Sequence, residues 1–286
     1  MSEKSTVSAA AAGTISIGGD LNVNRLGYGA MQLTGEGVWG PPEDRESAIA
    51  VLRRALELGI NLIDTADAYG PGANEELIAE ALYPYPSDLV IATKGGLTRS
   101  GPGAWARDGR PEYLRARLDD SLRRLRLDRI DVYQLHAPDE KTPFVDSVRA
   151  LAQARAGGKI RHVGLSNVDV DQLREAQKIV PIVSVQNRYS ASHRVSEDVL
   201  NYCSDHGIAF IPWFPLDNGS VVAKAIDNVA TSQGATPYQV ALAWLLRRSP
   251  MMLPIPGTSS LKHLLENVEA ASIRLTDDQF NAIDRA

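Results

Sequence analysis

A phenol, an ammonium, a carboxylate and an imidazole stand at four points of this 286-residue chain: Tyr69, Lys94, Asp64 and His136. Together they suit proton transfer to a carbonyl oxygen. A phenol has a pKa of about 10, too high for easy exchange near neutrality. A nearby ammonium favours the phenolate and lowers that value. A carboxylate can hold the ammonium, and an imidazole can orient and polarise the carbonyl. No side chain donates hydride, so a cofactor must supply it. Ser166, Asn167 and Gln186 offer donors and acceptors suited to a carboxamide, and Trp213 a flat face for a nicotinamide ring. Singly, each residue has a plainer role: Asp64 a helix cap, Lys94 a solvated loop end, His136 a turn residue. Their convergence on one place is what would make them functional.

That convergence needs a scaffold. Short apolar runs at residues 26–30, 61–64, 89–93, 130–135, 162–165, 182–185, 208–213 and 252–255 read as strands. Helical spacing follows at 44–58, 74–82 and 111–125, then after Thr142, expected to cap a helix with Pro143 at its first position. Further helices fall at 168–176, 196–205, 236–247 and 261–270, and a last one at 276–283 has Thr276 as cap. Eight strand–helix units predict an α/β fold, a (β/α)8 TIM barrel, as a single domain over residues 13–286. Its active site belongs at the C-terminal ends of the strands, where the four residues and the amide group fall. Residues 13–23 (GTISIGGDLNV) read as an N-terminal β-hairpin capping the barrel floor, and residues 1–12 as a disordered leader. Residues 95–110 read as a long loop. Met31, Trp39 and Trp105 are candidates for an apolar substrate pocket.

A net charge of -5 argues against a nucleic-acid surface. No stretch approaches the ~20 apolar residues of a membrane helix. The single cysteine, Cys203, cannot form an internal disulfide and reads as a small buried hydrophobe. A cytoplasmic protein without membrane or nucleic-acid partners is expected. The five histidines are scattered without metal-ligand spacing.

Six segments in order resemble the aldo-keto reductase family over nearly the whole chain. They are residues 59–70 (GINLIDTADAYG), 91–94 (IATK), 131–136 (DVYQLH), 164–167 (GLSN), 185–187 (VQN) and 255–267 (IPGTSSLKHLLEN). The resemblance implies that Tyr69 is a general acid tuned by Lys94, that Asp64 holds Lys94, and that His136 directs the carbonyl. It implies an NADPH/NADP site in which Ser166, Asn167 and Gln186 bind the carboxamide and Trp213 stacks on the ring. Gly29, Ala30 and Met31 would border it; Phe214, Leu216 and Asn218 would pass the pyrophosphate. Ile255, Gly257, Thr258, Ser259, His263, Glu266 and Asn267 would approach the adenine half. Many relatives carry a lysine where this chain has Gly257 and an arginine where it has His263, both favouring the 2′-phosphate, so NADH use is open. A monomer reducing a broad range of small aldehydes and ketones in an open pocket is expected.

Two other readings compete. Lys94 could be the nucleophile of a Schiff-base aldolase, which would not need the amide group or the C-terminal segment. Alternatively, the chain could be a non-catalytic nicotinamide-binding redox sensor.

Overall fold

The structure is a computed structural model describing residues 7–217 and 224–286. Seven strands form one curled, fully parallel sheet. In chain order they are β3 (Tyr28–Gly29), β4 (Leu62–Asp64), β5 (Val90–Gly95), β8 (Ile130–Leu135), β9 (Ile160–Ser166), β10 (Ile182–Arg188) and β11 (Ala209–Trp213). Each pairs with the strand preceding it in that series.

The expected eighth strand is present only as a bridging segment. Leu253 N donates to Phe210 O (2.9 Å), Phe210 N to Met251 O (2.9 Å), and Gly27 N to Pro254 O (2.9 Å). Residues 251–255 thus touch both edges of the sheet and close the barrel. Pro254 and Pro256 have no N–H, so this segment cannot sustain a full ladder.

Strand periodicity decides what faces inward. On β5, Val90 and Ala92 pack in the barrel interior while Ile91 packs outward under the helices. Lys94 has the parity of Val90 and Ala92, so it occupies the next layer up. On β4 the same rule places Leu62 and then Asp64 inside. On β8 it places Val132 and then Gln134 inside.

The floor is closed by the hairpin of β1 (Thr14–Ile17) and β2 (Leu21–Asn24), as expected. Its apolar residues Ile15, Ile17, Leu21 and Val23 join the interior cluster. Gly18 and Gly19 turn the chain at positive φ. Asp20 pins the turn to the barrel through His162 Nε2 (2.6 Å) and Arg161 (2.9 Å).

Ten helices are found among the described residues, and the outer layer follows the sequence closely. α1 (Arg45–Glu57) starts where Asp44 accepts a hydrogen bond from Ser47 N. α2 is Ala73–Leu82, and α3 (Pro111–Leu125) begins with its proline at the first position. α4 is Phe144–Ala156, α5 Val170–Gln177 and α6 Glu197–Asp205. α7 (Lys224–Gln233) precedes α8 (Pro237–Arg248); α9 (Leu261–Glu269) and α10 (Asp277–Asp284) complete the chain. Thr236 and Thr276 cap α8 and α10 in capping boxes. The Cys203 side chain is buried, which pushes its thiol up to about 12.

Three expectations are corrected. Residues 95–110 are not a plain loop: they form a hairpin of β6 (Leu97–Gly101) and β7 (Ala104–Arg107) standing over the mouth of the barrel. Thr142 does not cap α4; its hydroxyl donates to Asp139 Oδ2 (2.8 Å) in the preceding turn, and Pro143 stands at the cap position. Of the supposed disordered leader, Ala9–Ala12 forms a 3-10 turn capped by Ser8, because Ala9 buries against the α1 end and donates to Leu58 O.

Candidate active site

The C-terminal strand ends enclose a cleft of ≈ 950 Å³. At its base the Lys94 ammonium donates to Asp64 Oδ1 (2.6 Å), Thr65 O (2.8 Å) and Tyr69 OH (3.4 Å). Asp64 Oδ2 accepts from Gln186 Nε2 (2.9 Å) and Gln134 Nε2 (3.3 Å). The carboxylate therefore has donors on both oxygens. Lys94 and Asp64 are 0 % and 2 % exposed, so the pair is sealed from solvent. The Tyr69 ring stands edge-on to His136 at 5.9 Å and to Trp105 at 6.4 Å.

Burial penalises the Lys94 charge, but Asp64 and Tyr69 outweigh it and hold the ammonium above its ordinary value. A neutral amine is thus disfavoured, which weighs against the Schiff-base aldolase reading, since that nucleophile must be uncharged. For Tyr69, burial is the largest influence and raises the phenol; the attraction of Lys94 opposes it without prevailing. Burial thus moves the Tyr69 phenol in the direction opposite to the one expected from Lys94 alone. His136 is driven well below the usual imidazole value by burial and then by Lys94. Neutral, it presents one N–H donor and one acceptor.

One side of the cleft is a chain of amides. Asn167 Nδ2 donates to His136 O (2.9 Å) and Ser166 Oγ (3.0 Å), and Asn167 Oδ1 accepts from Trp213 Nε1 (3.1 Å). Asn167 sits at φ 58, a left-handed conformation that asparagine tolerates. The network holds the Trp213 ring on the same cleft as Tyr69 and His136. Gln186 spends its amide nitrogen on Asp64, which leaves its carbonyl oxygen for a ligand.

Most of the other expected residues meet in this cleft. Gly29, Met31, Phe214, Leu216, Ile255, Gly257, Thr258, Ser259, His263, Glu266 and Asn267 all line it. A Cβ at Gly257 would lie 2.6 Å from Gly29 O, so the glycine permits a backbone contact that a lysine would break. Among the described residues no Lys or Arg lines the cleft. Two expectations fall outside it. Ala30 is fully buried, its carbonyl accepting from Asn74 Nδ2. Trp39 lies out of the cleft lining, with Arg99 5.8 Å from its ring. Asn218 lies outside the described residues.

Sequence reasoning missed Gln32, Val38, Leu97, Pro215 and Tyr238, which also line the cleft, and Gln134 behind it. Gln134 was findable, since it shares β-strand parity with His136. Val38 comes from the 3-10 turn before α1 and Leu97 from the short β6–β7 hairpin, where no periodicity marks them. No three His, Cys, Asp or Glu side chains among the described residues are grouped to hold a metal, and no helix among them is long and apolar enough to cross a membrane.

Comparison with known proteins agrees with this geometry. The chain is 50% identical over 282 residues to an uncharacterized oxidoreductase of Schizosaccharomyces pombe, covering 98% of this chain and 92% of that one. It is 47% identical over 274 residues to pyridoxine 4-dehydrogenase of Escherichia coli, covering 93% and 96%. A glycerol dehydrogenase from Gluconobacter oxydans superposes with a TM-score of 0.87 at 29% identity, over 96% and 94%. An aldo-keto reductase from Klebsiella pneumoniae in complex with NADPH superposes at 0.80 with 28% identity, over 95% and 94%. The model of the aldo/keto reductase family matches residues 25–286, and with the barrel and the buried Tyr69–Lys94–Asp64–His136 group this shows that the chain belongs to the aldo/keto reductase family.

Proposed function

We propose that the protein is an NADPH-dependent reductase that converts aldehydes to alcohols, with Tyr69 as general acid and flat aromatic aldehydes of the pyridoxal kind as preferred substrates. The observation that carries this reading is the Tyr69 hydroxyl, 3.4 Å from the ammonium of the buried Lys94–Asp64 pair, at the wall of a cleft with Trp213 held at its side. The name of the Escherichia coli relative and the NADPH of the Klebsiella pneumoniae structure support the substrate and the cofactor.

The cleft fits a nicotinamide dinucleotide. Ser166, Asn167 and Gln186 present hydroxyl and amide groups, Trp213 a ring face, and Gly29 and Gly257 a bare backbone. When bound, the cofactor supplies the hydride that adds to the carbonyl carbon. The Tyr69 hydroxyl donates its proton to the carbonyl oxygen as charge develops there. Lys94 stabilises the phenolate left behind, and Asp64 keeps Lys94 charged and in place. The neutral His136 donates a hydrogen bond to the same oxygen and sets its direction toward Tyr69. The aromatic edges of Tyr69, His136 and Trp105 suit a flat ring.

The test is the oxidation of NADPH in the presence of pyridoxal, with benzaldehyde alongside and NADH as a second donor. Turnover should fall by at least ~100-fold in Tyr69→Phe, the loss of a general acid. A wild type that binds NADPH yet reduces neither aldehyde would overturn the reading.

A further inference from the structure

The β6–β7 hairpin is not held by apolar burial, for its residues are mostly half-exposed or exposed. Tyr113 Oη donates to Leu97 O (3.1 Å), Arg107 Nη1 to Pro138 O (3.2 Å) and Gly103 N to Gly37 O (2.9 Å), but the largest share of its attachment runs through one side chain, Arg99. Arg99 Nε donates to Ala104 O (3.0 Å). Nη1 donates to Val38 O (2.7 Å) and Ala68 O (3.0 Å), and Nη2 to Gly37 O (2.6 Å) and Gly101 O (3.3 Å). A guanidinium has five N–H donors. All five are used, on backbone carbonyls of the hairpin, the loop before α1 and the loop that carries Tyr69.

Two of the anchored residues form walls of the cleft. Arg99 lies opposite Trp105 across the hairpin, with its guanidinium 3.7 Å from the Trp105 ring centroid, and that ring meets Tyr69 edge-on. Val38 holds φ 56, a conformation that a β-branched residue avoids unless its surroundings impose it. Here its carbonyl is fixed by Arg99, and the neighbouring Gly37 O is shared between Arg99 and Gly103 N.

We infer that Arg99 is a positioning residue that assembles the substrate wall of the cleft by fixing Trp105 and Val38 over Tyr69. Because its donors are spent on carbonyls, it does not serve as an anion site, and the pocket accepts uncharged aromatic aldehydes in preference to carboxylate-bearing ones. The inference rests on the carbonyl-reductase reading for its kinetics, but its structural part can be measured without turnover.

The experiment compares wild type, Arg99→Gln, Trp105→Ala and the double variant. By hydrogen–deuterium exchange, Arg99→Gln should speed exchange in residues 36–39 and 97–107 while leaving β4, β5 and β8 protected. The KM for benzaldehyde should rise about tenfold with kcat within about threefold, and the Kd of NADPH by protein fluorescence should stay within about twofold. In the Trp105→Ala background Arg99→Gln should add little further, since the two act through one contact. Wild type should reduce 4-carboxybenzaldehyde less efficiently than benzaldehyde. Unchanged exchange in the hairpin, fully additive KM effects, or a preference for 4-carboxybenzaldehyde would each overturn the inference. Absence of any turnover in wild type would instead fail the reductase reading, with exchange still deciding the role of Arg99.

Discussion

Replacing Lys94 by methionine removes the cation paired with Asp64 at the base of the cleft and leaves the Asp64 carboxylate buried. In the wild type that carboxylate receives Lys94 at 2.6 Å and two amide donors at 2.9 and 3.3 Å. Orphaning one member of a buried ion pair costs about 3–5 kcal/mol. The amides of Gln134 and Gln186 stay on Asp64 Oδ2, so the lower end applies. At ~2–4 °C per kcal/mol for a large domain, Lys94→Met should lower Tm by roughly 6–12 °C. Adding Asp64→Asn removes the stranded charge, so the double variant should recover a substantial part of that loss. Activity should behave otherwise. Tyr69 loses the ammonium that stabilises its phenolate in both, so NADPH oxidation should stay down by ~10²–10⁴-fold in single and double variants alike. Thermal unfolding by circular dichroism, beside steady-state rates, separates the two effects. If the two substitutions destabilise additively, the pair is not coupled as its geometry requires. If Lys94→Met keeps more than a tenth of wild-type turnover, Lys94 has no role in the proton transfer.

Other expectations follow from the same site. The folded state holds His136 neutral below the pH where a free imidazole of pKa about 6.5 protonates, so the unfolded state binds more protons there. That contribution is complete above about 6.5 and is lost as pH falls below it, by up to ~1.4 kcal/mol per pH unit; His136→Gln should flatten the acid limb of a Tm-against-pH curve. Because the Tyr69 phenol is raised, reduction should keep its acid through neutral pH, whereas oxidation of the alcohol, which needs the phenolate, should speed as pH rises; parallel profiles in the two directions would contradict this. Trp213→Ala removes a ring face worth ~0.5–1.5 kcal/mol, so the Kd for NADPH should weaken about 2- to 12-fold by fluorescence titration. Gly257→Lys should lower Tm and fail to tighten NADPH, because its Cβ would strike Gly29 O.

The sequence by itself determined which residue types stand at the strand ends and the order of elements that carry them. β8 at Ile130–Leu135 and α3 at Pro111–Leu125 match their expected bounds, because both carry complete local signals: an apolar run between turns, and a proline start with leucines on one face. The parity of β4 and β5 points Asp64 and Lys94 to the same inner face, and the register of the two strands brings them into contact. Tertiary structure decided the rest. The segment around Pro254 reads as a strand locally, but whether it can pair depends on N–H groups it lacks and on both edges it must bridge. Residues 97–107 show no alternation, and their pairing depends on Arg99 reaching Gly37 and Val38, which lie some sixty positions away in the chain. The phenol of Tyr69 looks lowered when only its neighbours are counted. Its burial is a property of the assembled cleft, and burial outweighs Lys94. Local residue types set which groups can meet; how deeply they are buried, and which backbone carbonyls lie within reach, exists only once distant segments pack.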